Sequence, residues 1–437
     1  MKRITLLFFA MLLTTVSFAQ GIFNLFGKSD DFFKNLNEKN YTGAQAFFDP
    51  TVQSKVTPAE LQKLWENITA KLGPFEAADV LQSKTEGDFF SVVMDAKFAG
   101  GSQPFLLAYN KAEKLVGFFL QPKSNAANYL NPAYADTTLY SAKEVYVSAF
   151  KHKLVARLTT PKGATNFPIV VLVHGSGPSD MDGTVGPNKP LKDLAAGLAA
   201  KGIASIRYVK RTMVNANEFT GAFTVKEETT DDAVAAVALA ATIPGADKKQ
   251  IYLLGHSLGG MLAPRIATMA PQLKGIILAE APARKFTDLL IEQNKYLYEA
   301  SKDTTKVGKT QLEAILKELE NGRITTLGAM KPDSVILGLP ASYWVDLNNY
   351  NPAETAKKLT QRILVIQGEN DFQVSMNDYN IWNTELSKKS NVTMKLYPDI
   401  NHLLSSQVEK GTASQYRMAS SVSETLINDI VAWIKGG

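Results

Sequence analysis

The spacing of apolar positions changes along the chain, and each change marks a boundary. Residues 30–36 and 41–48 carry apolar side chains at helical intervals. Thr57-Pro58-Ala59-Glu60 reads as a helix start, with Thr57 as N-cap and Pro58 at the first helical position. Leu61, Leu64, Trp65, Ile68 and Leu72 then form that helix's buried stripe. After Gly73-Pro74 the period drops to two over 77–82, 89–97, 104–109 and 114–121, with turn residues between, which predicts an antiparallel meander. Residues 20–123 are therefore expected to form a small α+β domain. The stretch 124–138, SNAANYLNPAYADTT, is poor in aliphatic residues and reads as a linker.

Beyond it, 143–150 and 153–159 alternate as an antiparallel pair, and Phe167–Val173 is an almost unbroken apolar strand. Helices and strands then take turns: a helix near 191–200, strand Ala204–Tyr208, a helix near 229–241, a strand over 251–254, a helix from Leu258 and strand Gly275–Ala279. Such alternation predicts a mostly parallel sheet covered by helices. It stops over 283–358, too long for a plain connection, where 286–298 and 311–319 read as amphipathic helices of an inserted cap. It resumes with a strand over 362–367, a helix near 378–387, strand Val392–Tyr397 and a last helix over 422–434. The expected class is α/β over 139–437, a mostly parallel central sheet flanked by helices with a helical cap insertion, preceded by the small α+β domain.

Residues 1–19 differ from all that follows. Lys2 and Arg3 precede an apolar stretch ending in Ser17-Phe18-Ala19, the pattern of a secretory signal peptide and shorter than the ~20 apolar residues of a membrane span. Export to the periplasm or the exterior is expected. Without Lys2 and Arg3 the formal net charge falls from +5 to +3, a balance that suggests no polyanionic partner such as nucleic acid. There is no cysteine, which excludes a disulfide framework, a cysteine nucleophile and a thiolate zinc site.

Candidate chemistry centres on 250–267, QIYLLGHSLGGMLAPRIA. A strand gives way to glycines around Ser257 and then to a helix, the setting that a G-x-S-x-G nucleophile requires. A serine hydroxyl needs a base within hydrogen-bond reach and a third group to orient that base. Of the four histidines, His256 adjoins Ser257 and is expected to point away, His174 belongs to a loop after a central strand, and His152 lies in a hairpin turn. His402 remains, in the loop PDINHLL between the last strand and the last helix. The loop Gly368-Glu369-Asn370-Asp371 supplies the orienting carboxylate, Asp371, with Glu369 in reserve. The oxyanion of acyl transfer needs two amide donors: Leu258 at the first turn of the helix, and Ser176 in HGSGP after Val173. This set requires no cofactor.

Residues 255–260 and 174–178 with Asp371 and His402 resemble the serine α/β-hydrolase superfamily. More narrowly, HGSGPSDMDG, IRYVKR and the small N-terminal module resemble secreted bacterial esterases that carry such a module, of unassigned function, ahead of the hydrolase domain. The resemblance implies cleavage of small carboxylic esters through an acyl-enzyme. Relatives often have aspartate where Val209 stands, so no polar role is expected there. Arg207, Lys210 and Arg211 are expected to pair with Asp180 and Asp182 on the neighbouring loop, in preference to binding a substrate carboxylate. Asp180-x-Asp182-Gly183 lacks the further ligands of a calcium loop. The cap offers Phe286, Tyr296, Tyr298, Tyr343, Trp344 and Tyr350, mostly as packing; an apolar roof would favour short-chain acyl or aryl esters. Two rivals stand beside this reading: a serine peptidase or acyl-aminoacyl hydrolase on the same fold, and an envelope binding or scaffold protein with an incidental hydrolase domain.

Overall fold

The computed structural model describes residues 19–86, 89–121 and 129–436. Apart from Ala19, the expected signal peptide lies outside the described residues, as does the start of the expected linker, 124–128. The chain forms two compact units, Met1–Asn125 with Asn215–Gly221, and Ala126–Val214 with Ala222–Gly437.

The small unit opens with helices α1 (Ala19–Asn37), α2 (Tyr41–Gln45), α3 (Pro50–Gln53) and α4 (Pro58–Leu72). Thr57 caps α4 as a capping box: its hydroxyl accepts from the Glu60 amide while the Glu60 carboxylate accepts from the Thr57 amide. Strands β1 (Phe75–Glu86), β2 (Phe89–Phe98), β3 (Gly101–Tyr109) and β4 (Leu115–Leu120) pair antiparallel in sequence order. The sheet packs its inner face on aromatic rings of the helices: Phe33 stands edge-on to Phe105 at 5.4 Å, and Trp65 lies 5.6 Å from Phe98. The 3-10 turn Ala216–Phe219 belongs to this unit and packs on α1, where a Cβ on Gly27 would lie 1.7 Å from Asn217 Oδ1.

The large unit contains strands β5 (Tyr140–Ala149), β6 (His152–Pro161), β7 (Phe167–Val173), β8 (Ala204–Tyr208), β9 (Ala246–His256) and β10 (Gly275–Ala279). Between them run α5 (Pro190–Ala200), α6 (Arg211–Val214), α7 (Asp231–Ala240) and α8 (Leu258–Met269). A π turn, Lys226–Thr230, leads into α7. The insertion after β10 contains α9 (Phe286–Ser301), α10 (Lys306–Asn321), the short pair β11 (Val335–Ile336) and β12 (Leu339–Pro340), α11 (Ala341–Asn348) and α12 (Pro352–Lys357). The chain closes with β13 (Arg362–Gly368), α13 (Met376–Leu386), β14 (Val392–Tyr397) and α14 (Glu424–Lys435).

The large sheet runs β14-β13-β10-β9-β7-β8-β6-β5. Its strands from β8 to β14 pair parallel, and β6 joins antiparallel to β8 and β5. This is an α/β-hydrolase fold with β9 near the middle. Strands β7, β8 and β10 are buried along nearly every residue, as parallel strands covered on both faces must be. Leu194 and Leu198 of α5 and Ile427 and Ile430 of α14 pack with Leu172 and Leu254 in the core. Residues 129–138 do not behave as a free linker: Tyr129 donates to Asp193 at 2.6 Å and Tyr134 to the Val422 carbonyl at 2.8 Å, anchoring this stretch within the large unit.

Candidate active site

The turn from β9 to α8 is tight because three backbones converge on it. A Cβ on Gly255 would stand 2.1 Å from the Gly259 carbonyl oxygen, and one on Gly259 would stand 2.4 Å from the His174 carbonyl oxygen. Ser257, at the apex, takes φ 55 and ψ −122, a conformation that costs a non-glycine residue energy and persists only where its surroundings enforce it. The Ala279 carbonyl at the end of β10 holds the Ser257 amide at 2.9 Å. Flanked by buried residues, Ser257 is itself only half-buried.

Two further loops leave the same carboxyl edge of the sheet. Asp371 follows β13 and His402 follows β14, and His402 Nδ1 lies 2.6 Å from Asp371 Oδ2 with both residues buried. The other Asp371 oxygen accepts from the amides of Gln373 and Val374, at 2.6 and 3.0 Å. Burial pushes this carboxyl upward, but His402 and the hydrogen bonds around it outweigh burial and hold it below the usual aspartate range. Asp371 is thereby kept as an anion facing an imidazole N–H. Glu369, the reserve choice, is exposed.

The loop after β7 comes up against the serine: a Cβ on Gly175 would lie 3.1 Å from Ser257 Cβ and 3.5 Å from its Oγ. Ser176 is the next residue, and Leu258 begins α8 directly after Ser257. His174 turns away and meets the Asp180 carbonyl through Nε2 at 3.0 Å. Burial, with Lys210 close by, lowers its pKa to about 3, so it is neutral at neutral pH. His256 is likewise lowered to about 3 by burial and by His402, and its Nε2 meets the His402 carbonyl at 2.7 Å. It steadies the backbone of the candidate base. His152 is buried at the start of β6.

The basic residues after β8 follow the expectation only in part. Arg207 pairs with Asp182 at 2.8 Å, whereas Lys210 pairs with Glu228 and Arg211 with Asp232. The Asp180 carboxylate accepts from the Asp182 and Thr184 amides of its own loop, at 3.1 and 3.0 Å. Cap aromatics are largely packing: Trp344 is fully buried and donates to the Ile336 carbonyl, and Tyr350 donates to the Met261 carbonyl. A cavity of about 650 Å³ is lined by Tyr296 and Phe372 together with charged side chains that include Arg284, Glu292, Lys295 and Lys410. None of Ser257, Asp371 and His402 lines it, so it is not the apolar roof expected over the serine.

Sequence reasoning missed Glu280 and Glu228. Glu280 directly follows β10, is fully buried, and accepts from the Gly368 amide at 2.8 Å and from Gln367 Nε2 at 2.7 Å. Burial first, then the negative charge of Asp371, push its carboxyl well above the ordinary range. The signal was present: an acid directly after a predicted strand is also the mark of the Asp371 loop.

With this geometry the chain can be set beside known proteins. Over 403 residues, 92% of this chain and 93% of the relative, it is 34% identical to Esterase EstD of Thermotoga maritima. The chain belongs to that esterase family. It is a serine hydrolase acting on a small-molecule substrate, and the reading as a scaffold with an incidental hydrolase domain gives way. The prolyl oligopeptidase family matches residues 214–313, which include Ser257, and a family described as a protein of unknown function (DUF3887) matches 29–118 in the small unit. Among solved structures, Est1E from Butyrivibrio proteoclasticus is similar at 15% identity and TM-score 0.42, over 67% of this chain and 99% of that one. A Bacteroides ovatus structure provisionally assigned as a dipeptidyl aminopeptidase IV is similar at 13% identity and TM-score 0.46; 83% of this chain is covered, but it spans only 44% of that one.

Proposed function

We propose that this serine hydrolase cleaves short-chain acyl or aryl esters through an acyl-enzyme, with Ser257 as nucleophile, His402 as base and Asp371 as its orienting group. The observation that carries the reading is the buried 2.6 Å contact of His402 with Asp371, on loops leaving the same sheet edge as the strained Ser257 turn. Ser257 Oγ attacks the ester carbonyl carbon while its proton passes to His402 Nε2. The oxyanion so formed is held by the amides of Leu258 and Ser176. His402 then returns the proton to the departing alkoxide as the C–O bond breaks. Water repeats the sequence on the acyl-enzyme and frees the acid.

The same reading takes residues 1–19 as an export signal and the mature enzyme as periplasmic or extracellular, on the strength of Lys2, Arg3 and the apolar run after them. Among the described residues no helix is long and apolar enough to cross a membrane. A peptidase reading has one observation of its own, the prolyl oligopeptidase match across the Ser257 turn.

One panel tests both. Nitrophenyl esters of increasing acyl length are compared with amino-acyl nitroanilides on wild type and Ser257→Ala, with a serine-directed phosphonate as label. The expected result is turnover of short esters over anilides and labelling of wild type alone, with the variant down by about four orders of magnitude or more. Faster anilide than ester turnover would favour the peptidase, and equal labelling of the variant would remove Ser257 from its role. Cell fractionation after expression of the full chain tests export.

A further inference from the structure

Beneath the loop that carries Ser176 lies an ion pair shut off from solvent. The side chains of Lys210 and Glu228 are 2% and 3% exposed, and Nζ stands 2.8 Å from Oε1. A buried pair of this kind is often no more stabilising than apolar side chains of equal volume, so stability alone does not account for it. Its other hydrogen bonds suggest why it is there. Lys210 Nζ donates to the Gly175 carbonyl at 2.9 Å, and Glu228 Oε1 accepts from the Gly177 amide at 2.9 Å. The remaining Glu228 oxygen accepts from Tyr343 of cap helix α11 at 2.6 Å.

The Gly175 carbonyl and the Ser176 N–H belong to one planar trans peptide unit and point in opposite directions. Holding that carbonyl therefore aims that N–H. A charge-assisted bond to the carbonyl also polarises the peptide, which makes the N–H a stronger donor. Glu228 fixes the next amide in turn, so both peptide units flanking Ser176 are clamped by one ion pair. With both heads engaged and buried, Lys210 is not available to a substrate carboxylate.

We propose that Lys210 and Glu228 are positioning residues that set the direction and donor strength of the Ser176 amide during acyl transfer, with Tyr343 linking the cap to the same network. This rests on the reading of Ser176 as an oxyanion donor. An oxyanion contact strengthens in the transition state, so its weakening lowers kcat and leaves KM in place.

The experiment uses the charge-neutral double variant Lys210→Met/Glu228→Gln, which keeps an acceptor for the Gly177 amide. Folding is checked by circular dichroism, and kcat for a nitrophenyl butyrate is expressed per phosphonate-labelled site, so that a merely structural loss of active protein does not register. The expected result is a kcat about ten- to a hundredfold lower with KM within about twofold, below the loss from deleting an oxyanion donor outright. The inhibition constant of an alkylboronic acid, a tetrahedral mimic, should rise in step. An unchanged kcat per site, or a loss confined to KM, overturns the proposal. If the double variant does not fold, Tyr343→Phe decides: about threefold lower kcat at constant KM supports the link, and an unchanged kcat overturns it. Wild type that resists labelling, or Ser257→Ala that accepts it, would instead strike the underlying reading of the site.

Discussion

In the small unit, Phe105 stacks on Phe118 at 4.9 Å while Phe33 and Trp65 close over them, and buried Ser29 is satisfied by the Leu25 carbonyl and the Tyr109 hydroxyl. In the large unit the interior contains Lys210, Arg211, Glu228, Asp232, Glu280, Asp371 and Asp378, all nearly inaccessible. Apolar burial stabilises at about 25 cal/mol per Å² and makes few demands on angle. A buried ion is costly unless each of its hydrogen bonds is met, and meeting them fixes direction. The contrast shows where direction matters in this protein. Lys210, Glu228, Glu280 and Asp371 lie in or against the loops at the carboxyl edge of the large sheet, while the small unit is held by shape.

The comparison is most exposed at Asp371. In Asp371→Asn the amide oxygen can still accept from Gln373 and Val374, but the NH₂ would face His402 Nδ1 and favour the wrong tautomer. We expect kcat per labelled site to fall by about 10³ to 10⁴ with little change in melting temperature. A loss under tenfold would mean that the pair holds structure and not direction. In the small unit, Trp65→Ala should cost about 3–5 kcal/mol of that unit's stability, read by chemical denaturation, and leave kcat within about twofold. A large fall in kcat would erase the contrast between the units.

The smallest effect concerns Asp193, which accepts from Tyr129 and from the Val422 amide. Burial raises its pKa to about 6 despite those hydrogen bonds. A raised carboxyl contributes stability that is fully present below its unfolded value and is lost as pH rises through about 6. Asp371, with its lowered pKa, slopes the other way, so a difference is needed to isolate Asp193. The melting temperature of wild type minus that of Asp193→Asn should shrink by a few degrees between about pH 4 and pH 7. A gap that widens with pH would show that ionised Asp193 is stabilised by its surroundings.

Much of this layout was legible in the chain because burial on both faces leaves a plain mark. Phe167–Val173, Ala204–Tyr208 and Gly275–Ala279 coincide with their predicted bounds, as does the only partly buried edge strand Val392–Tyr397. His402 emerged from a shortage of histidines, and Asp371 from its place after a strand. Less legible was α11, eight residues long and too short to show a period. The partners of Lys210 and Arg211 were misassigned because the nearer acids, Asp180 and Asp182, serve their own loop and Arg207. Glu228 reaches Lys210 only through the π turn ahead of α7, a local geometry that polar residues 226–230 do not announce.

The turn Ala216–Phe219, sequence of the large unit by position yet part of the small one by packing, bears on how such a chain could have been inherited. The backbone passes from one unit to the other at 125, again at 214 and again at 221. Recombination that carried off only the first 125 residues would leave Phe219 and its neighbours behind and strip α1 of a surface it packs on. The small unit is therefore completed by residues 215–221, which lie outside the 29–118 span of its family match.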